Sequence, residues 1–559
     1  MSDLIVIFEP SGKKTKLLPG TTVLEASQAT GILIDSECGG RGSCGKCKII
    51  VLSGATNPQT PEETRHLTSK EFDEGWRLAC CVRVKSDMVV MIPRSQRERK
   101  FQTRGIEWEY PHAPLTNKIS ELEGVSSDQY GIAVDIGTSK VVGHLVNLKE
   151  GKVVGVASVE NPQVVHGEDV MSRLTFALQG AEERRKLHSL SIQAFESVLR
   201  ILCSEAGIDY FDVMGAVVVG NTLMHHLFLD LEIETLSRAP FAPAMVKSYV
   251  TPPSELGVTI NHSGLVYLPP VIAGFVGSDA LADLVATRIQ DWEDPVALVD
   301  IGTNTEVFVG DGERMTCCSC ASGPAFEGGH TSIGVKAVAG AIERLRIEPE
   351  TLDVEYETIG GEEPIGLCGS GMIDALAELW KQGILDGFGR LSMDDSTLLI
   401  REGEGGLEFV VERGDRTASG KDIALTSGDI QELLLAKAAI YSAFSVMLMR
   451  QGLRAEDLST IYVAGAFGEL LDTVNSMVIG MLPDVDPERI LFVGNTAVMG
   501  AKAMLVSEEA WMTAERLRDR VRYHELSLDP AFDSEFLDAL FLPHRKPERF
   551  PKAVKLRRN

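Results

Sequence analysis

Gly131-Ile-Ala-Val-Asp135-Ile-Gly137-Thr138-Ser139 and Val296-Ala-Leu-Val-Asp300-Ile-Gly302-Thr303-Asn304-Thr305 are two versions of one string in a single chain. Each precedes a second apolar run, Val141 to Val146 in the first case and Glu306 to Val309 in the second. The pattern predicts a strand, a tight turn and a returning strand. Glycine allows the turn, and the hydroxyl and amide side chains beside it face outward. Further similar strings follow each hairpin. Val217-Val-Val-Gly220-Asn221-Thr222 and Ala273-Gly-Phe-Val-Gly277 belong to the first half; Ile461-Tyr-Val-Ala-Gly465-Ala-Phe-Gly468 and Phe492-Val-Gly-Asn-Thr496 belong to the second. Two facing copies of one α/β fold account for the repeat.

Upstream of the repeat the chain changes character. Leu4 to Phe8 and Lys14 to Leu18 predict two strands around a Pro-Ser-Gly turn, and Thr22 with Glu25 has capping-box spacing for one helix. A strand pair followed by a helix suits a compact β-grasp unit. Its chemistry lies in Cys38-Gly-Gly-Arg-Gly-Ser-Cys44-Gly-Lys-Cys47, followed by Arg77-Leu-Ala-Cys80. Iron–sulfur clusters need thiolates converging from a small loop and one remote position. Glycines in that loop let it wrap closely and turn backbone N–H groups toward sulfur. Zinc would favour paired C-x2-C knuckles, and one such pair is present. Gly40-x4-Gly45-Lys46 nearly spells a P-loop, but Cys47 replaces Ser/Thr and Lys48 to Leu52 reads as a strand rather than a helix. The spacing C-x5-C-x2-C-x32-C and the Arg-Leu-Ala-Cys segment resemble the adrenodoxin-type branch of [2Fe–2S] ferredoxins. That resemblance makes Cys38, Cys44, Cys47 and Cys80 the expected metal ligands and leaves Cys81 aside.

At 559 residues the chain is long enough for three or four domains. We divide it into a ferredoxin-type domain (1–94), a polar linker (95–127), a first lobe (128–290), a second lobe with insertions (291–520) and a C-terminal tail (521–559). A net charge of −26, from 54 basic against 80 acidic residues, argues against nucleic acid as a partner. No apolar run approaches the length of a spanning helix, and the N-terminus lacks the basic region and cleavage site of a signal peptide. The expectation is therefore no membrane and a cytoplasmic location. Ten cysteines in this length fall far short of a disulfide scaffold. Cys317, Cys318 and Cys320 crowd too closely to converge easily on one cluster, and His225-His226 lies in an apolar helical stretch, so buried structural roles are expected for both groups.

The duplicated hairpins with Val463 to Gly468 resemble the superfamily of acetate and sugar kinases, Hsp70 and actin. The fold class this implies is α/β overall, a β-grasp ferredoxin domain followed by duplicated ribonuclease-H-like lobes. The resemblance further implies ATP clamped between the lobes, with Asp135 and Asp300 as the catalytic pair holding Mg²⁺ or its waters. Gly137, Thr138, Ser139, Gly302, Thr303, Asn304 and Thr305 would cradle the phosphates, and Gly465 and Gly468 would let the adenosine approach. Gly323 to Gly329 and Gly366 to Gly371 are further glycine-rich loops that could touch nucleotide or a partner.

Taken whole, and with Cys320 to Gly329 and Phe536 to His544, the chain resembles the reductive activators of corrinoid proteins. This implies that one electron passes from the [2Fe–2S] cluster to Co(II) at the expense of ATP, restoring Co(I) in a methyltransferase system. It also implies a corrinoid protein and a low-potential electron donor as partners, and is compatible with a homodimer. Two other readings predict different outcomes. An ATP-driven electron donor to another low-potential enzyme would ignore corrinoids, and a small-molecule kinase with a redox domain would phosphorylate a metabolite.

Overall fold

The computed structural model describes residues 4–9, 13–29, 34, 42, 45, 47–93, 110–114, 129–392, 399–403, 405–465 and 471–558. They form two compact units, one of Met1–Arg99 with Glu160–Glu183 and one of Lys100–Val159 with Arg184–Asn559.

The first unit holds a five-stranded sheet of β1 (Leu4–Glu9), β2 (Lys13–Leu17), β3 (Lys48–Ser53), β4 (Trp76–Leu78) and β5 (Met88–Met91), in the order β2-β1-β5-β3-β4. β1 pairs antiparallel with β2 and parallel with β5, the mixed pairing of a β-grasp sheet. The helix Val23–Ala29 begins as its sequence predicts. Glu25 N donates to Thr22 Oγ1 and Thr22 N donates to Glu25 Oε2, which closes the capping box. Alternating residues of the strands, Val6, Phe8, Ile49 and Val90, are fully buried beneath that helix's Val23 and Ala26. β3 starts immediately after Cys47, which removes the P-loop alternative on structural grounds.

The second unit contains the repeat. One sheet joins β6 (Tyr130–Ile136), β7 (Lys140–Asn147), β8 (Lys152–Glu160), β9 (Val213–Gly220), β10 (Tyr249–Thr251) and β11 (Leu265–Leu268), in the order β10-β11-β9-β6-β7-β8. The other joins β12 (Val296–Ile301), β13 (Thr305–Gly310) and β14 (Met315–Cys320) to β21, β22 and β23. Between them in sequence lie two small three-stranded sheets: β15 (Ala341–Ile347), β16 (Val354–Thr358) and β17 (Gly366–Leu367), then β18 (Ile400–Gly403), β19 (Gly406–Glu412) and β20 (Ile423–Thr426). β21 (Thr460–Gly465), β22 (Ile490–Gly494) and β23 (Val521–Tyr523) complete the second large sheet, in the order β22-β21-β12-β13-β14-β23. In both large sheets an antiparallel hairpin, β6–β7 or β12–β13, is followed by two strands added in parallel on the side of its first strand. This is the ribonuclease-H-like order expected for each lobe.

The duplication differs in detail from the string matching. Val217 to Thr222 and Phe492 to Thr496 share Val-Gly-Asn-Thr because both end a strand on an asparagine that caps a helix. Asn221 accepts from Met224 N at 3.0 Å and Asn495 from Val498 N at 3.4 Å. They nevertheless occupy different places, β9 being the fourth strand of its lobe and β22 the fifth. Similar strings marked similar local chemistry rather than equivalent positions.

The lobes share a core. The helix Thr496–Val506, which follows β22, is buried along its length and packs with Ala133, Val217 and Val219 of the first sheet and Leu298 and Phe308 of the second. Gly500 faces the backbone of Ala282 so closely that a Cβ there would overlap it, which fixes this helix against Ser278–Ala286. Tyr110–Pro114, within the stretch expected to be linker, is docked on the same elements. Ala113 N donates to Val506 O and Glu508 N to Ala113 O, each at 2.9 Å, and the Tyr110 hydroxyl donates to Val285 O. The expected separate tail is also corrected. β23 extends the second sheet beside β14, and the helix Pro530–Ala539 packs on Ser427–Gln451. The buried Lys437 Nζ donates to Phe541 O and Pro543 O and so ties that segment down. Ser427–Gln451 is the one described helix long and apolar enough to cross a membrane, and most of it is buried in the core of this lobe.

Candidate functional site

The first site is built by the end of β4. Arg77 and Glu63 form a buried two-point ion pair, Nε to Oε1 at 2.7 Å and Nη2 to Oε2 at 2.9 Å, and Leu78 N donates to Glu63 Oε1 at 3.1 Å. Glu63 also closes the capping box of the helix Pro61–His66 through Thr60 N. This network fixes the Arg-Leu-Ala-Cys segment from beneath. It sets Cys80 Sγ 3.3 Å from Cys47 Sγ, both side chains nearly buried. The separation is far beyond a disulfide's ~2.05 Å, so the pair stands as two converging thiols. Gly45, in a left-handed conformation at φ +67, lies against the His66 ring; a Cβ would come within 2.7 Å of it. Cys38 and Cys44 lie outside the described residues. The two donors described fit an iron–sulfur group, being soft ligands that are buried and converge.

A consequence follows for Arg77→Ala. It leaves the Glu63 carboxylate buried without its cation, an arrangement that costs about 3–5 kcal/mol. Thermal unfolding monitored through the cluster's visible absorbance should show its loss at a markedly lower temperature than in the parent. An unchanged midpoint would mean that Glu63 finds another partner.

The second site lies at the two hairpin turns. Thr138 Oγ1 accepts from Asn221 Nδ2 at 3.0 Å, which links the first turn to the cap of the helix Thr222–Phe228. In the second turn Gly302 N donates to Asn304 O at 3.1 Å. Ser322 Oγ donates to Gly302 O at 3.0 Å and Gly323 N to Thr303 O at 3.0 Å, lashing the following loop to this turn. Glu327, on that loop, accepts from Thr303 Oγ1 at 2.9 Å and from Ser139 Oγ at 3.4 Å. Both turns therefore present hydroxyls to one acidic point.

Around these turns the chain concentrates negative charge. Asp135 and Asp300, at the ends of β6 and β12, lie near Asp279, Asp283 and Glu306. Burial raises the pKa of each, and mutual repulsion within the group raises those of Asp135, Asp279, Asp283 and Glu306 further. Asp279 is pushed up to about 7 and Asp300 to about 6, in each case mainly by burial. Asp279 and Asp283 stand four apart on Ser278–Ala286 and so share one face of that helix. Asp283 Oδ1 accepts from Thr496 Oγ1 at 2.6 Å. Among the described residues no three His, Cys, Asp or Glu are close enough to hold a metal by themselves. The cluster suits a cation that keeps its waters and receives further oxygens from a phosphate, as Mg²⁺ does.

One expected role changes, that of Thr305, and Gly465 has a structural role as well. Thr305 is fully buried and its Oγ1 lies 2.8 Å from Ser322 Oγ, so it fastens the turn instead of facing a phosphate. Gly465, at φ +108, is needed where β21 passes β12, because a Cβ would overlap Ile301 O and reach within 3.1 Å of Asp300 Oδ1. Its freedom serves the placement of Asp300. Gly468 lies outside the described residues. Glu327 lies on the Gly323 to Gly329 loop expected to touch nucleotide or a partner, whereas Asp279, Asp283 and Glu306 belong to none of the motifs. The signal for the first two is an acid pair at helical spacing in the otherwise apolar Asp279 to Ala286 stretch.

Cys317 and Cys318 are fully buried and Cys320 nearly so on β14, with thiols driven up by burial, as structural cysteines. His225 and His226 are also buried, with imidazoles pushed down to about 3 and about 4 by burial. A polar cavity of about 740 Å³ opens between β15, β16 and the helices Gly369–Lys381 and Thr473–Val478. There the buried Asp374 accepts from Asn475 Nδ2 at 2.7 Å.

Comparison with known proteins agrees with this architecture. Residues 6–85 match the 2Fe-2S iron-sulfur cluster binding domain, 130–291 the RACo middle region, and 294–554 the C-terminal domain of RACo, the ASKHA domain. The corrinoid activation enzyme RamQ of Eubacterium limosum is 32% identical over 415 residues, covering 73% of this chain and 69% of that one. The [Co(II) methylated amine-specific corrinoid protein] reductase of Methanosarcina barkeri is 28% identical over 409 residues, covering 68% and 70%. The solved structure of a reductive activator for a corrinoid, iron-sulfur protein superposes with a TM-score of 0.73 at 31% identity, over 98% of this chain and 100% of that one. With an N-terminal [2Fe–2S] domain and a two-lobed nucleotide-binding domain in this order, the chain belongs to the RACo family of reductive activators of corrinoid proteins.

Proposed function

We propose that this chain performs ATP-dependent reductive activation of a corrinoid protein in a methyltransferase system. One electron leaves the [2Fe–2S] cluster and reduces Co(II) of the partner to Co(I), which can again accept a methyl group. The observation that carries this reading is the pairing, in one chain, of converging buried thiols with a two-lobed cleft that presents hydroxyls and carboxylates to a phosphate and its cation.

Such a pairing is needed when the electron must go uphill. For a one-electron step ~59 mV equals ~1.4 kcal/mol, so a centre near about −400 mV reducing an acceptor about 200 mV lower needs about 4.7 kcal/mol. Binding or hydrolysis of ATP can supply that by favouring one arrangement of the lobes over another.

We assign Cys38, Cys44, Cys47 and Cys80 as cluster ligands. Asp135 and Asp300 would hold Mg²⁺ through its waters, with Asp279, Asp283 and Glu306 completing the negative field. Gly137, Thr138, Ser139, Gly302, Thr303 and Asn304 would cradle the phosphates with backbone N–H and hydroxyl groups. The adenosine would lie toward Gly465 and Gly468. The domains become 1–94, 128–290 and 291–559. A low-potential donor must reload the cluster, and a reducing cytoplasm would keep the other six of the ten cysteines as thiols. A homodimer is compatible with this reading.

The test is anaerobic. The protein, a Co(II) corrinoid partner and a low-potential reductant are mixed, and the visible spectrum is followed with and without Mg-ATP. Appearance of the Co(I) band only with ATP supports the assignment. An intact [2Fe–2S] spectrum with no ATP-dependent change, across several corrinoid partners, would point to another electron acceptor. Transfer of phosphate to a metabolite would instead favour the kinase reading.

A further inference from the structure

The nucleotide cleft already contains an anion of its own. Glu327 ends the short turn Ala325–Glu327, and that turn is held rigidly. Phe326 is buried in the second core, and Gly328 sits at φ +85 against the Val335 backbone, where a Cβ would come within 2.7 Å of Val335 O. The loop before it is lashed to the second hairpin through Ser322 and Gly323. Glu327 is thus a fixed part of the second lobe. Its Oε1 takes the Thr303 hydroxyl at 2.9 Å, and its Oε2 takes the Ser139 hydroxyl of the first lobe at 3.4 Å, the outer edge of hydrogen bonding. A carboxylate bridging hydroxyls of both turns stands where an anionic phosphoryl group would find the same donors.

We propose that Glu327 is the residue by which the cleft tells a nucleoside triphosphate from a diphosphate. The terminal phosphate must displace its carboxylate from Thr303 and Ser139, and a diphosphate need not. The inference rests on the nucleotide reading of this cleft. Two anions cannot share the same pair of hydroxyls, so entry of a third phosphate breaks the one direct bridge that Glu327 makes between the turns. Loss of that phosphate lets the bridge re-form. Presence of the terminal phosphate is thereby converted into a change in how the lobes are tied.

The test is nucleotide affinity, measured by titration calorimetry with a non-hydrolysable triphosphate and with ADP, each with Mg²⁺. Glu327→Gln removes the competing charge at nearly constant shape. It should bind the triphosphate about tenfold more tightly, the scale of one charge-assisted hydrogen bond, with ADP affinity within about twofold of the parent. Glu327→Asp keeps the charge but falls one methylene short of Ser139, and should lie between the two. Thermal melts establish that both variants fold. Equal tightening of both nucleotides, or a weaker triphosphate complex, would overturn the proposal. If the parent protein bound neither nucleotide, the nucleotide reading itself would fall and this inference with it.

Discussion

Cys80→Ser is expected to abolish the [2Fe–2S] absorbance of the anaerobically reconstituted protein, whereas Cys81→Ser should leave it intact. The two thiols are neighbours in sequence, and their sulfurs are 3.7 Å apart. Their surroundings separate them. Cys80 follows a segment pinned by the Arg77–Glu63 pair and converges with Cys47 at 3.3 Å. Cys81 is less buried than either, and its sulfur contact is with Cys80. An alkoxide from serine is far harder to form than a thiolate, so Cys80→Ser would remove one of the four proposed ligands. Iron and acid-labile sulfide analysis beside the spectrum gives the readout. Retention of the cluster in Cys80→Ser together with its loss in Cys81→Ser would reverse the assignment.

The sequence disclosed the parts of this protein that depend on local chemistry. The capping box of Thr22 and Glu25, the strand after Cys47 and the two Asp-Ile-Gly-Thr turns each follow from residues a few positions apart. What could not be read depends on residues meeting across long separations. Glu327 reaches Ser139 only after two lobes have folded, and Asp283 meets Thr496 only because the helix after β22 packs into the first lobe. Gly465 illustrates the same boundary. Its sequence context announced a close approach but not what approaches, which is the Asp300 end of β12. Likewise, Val-Gly-Asn-Thr identifies a strand ending on a helix cap and is silent about which strand of the lobe it ends.

Asp300→Asn is expected to lower ATP-dependent formation of Co(I) by about 10²–10³-fold while leaving the [2Fe–2S] spectrum unchanged, a loss on the scale of removing one preorganised electrostatic contact from a transition state. The same variant should weaken binding of the Mg²⁺ complex more than that of the free nucleotide, because the lost charge faces the cation. Loss of activity with undiminished Mg²⁺ dependence would place Asp300 elsewhere in the cycle. Asp283→Asn should behave differently. Asp283 is 1% exposed, and burial and the charges of Asp300, Asp279 and Asp135 hold its pKa well above the usual carboxylate range. Its folded pKa therefore exceeds its unfolded value near ~3.9. The unfolded state loses this proton first, so stability present at low pH is lost as pH rises through the folded value. Asparagine can still accept from Thr496 and carries no charge to bury. The melting midpoint of nucleotide-free Asp283→Asn should thus exceed the parent's by clearly more at pH 8 than at pH 4.5. His225 and His226, whose depressed values act with the opposite sign from about pH 6.5 down to about 3 and about 4, are common to both proteins and cancel in that difference. A constant difference across pH would show that Asp283 is ionised throughout, its charge already balanced within the cleft.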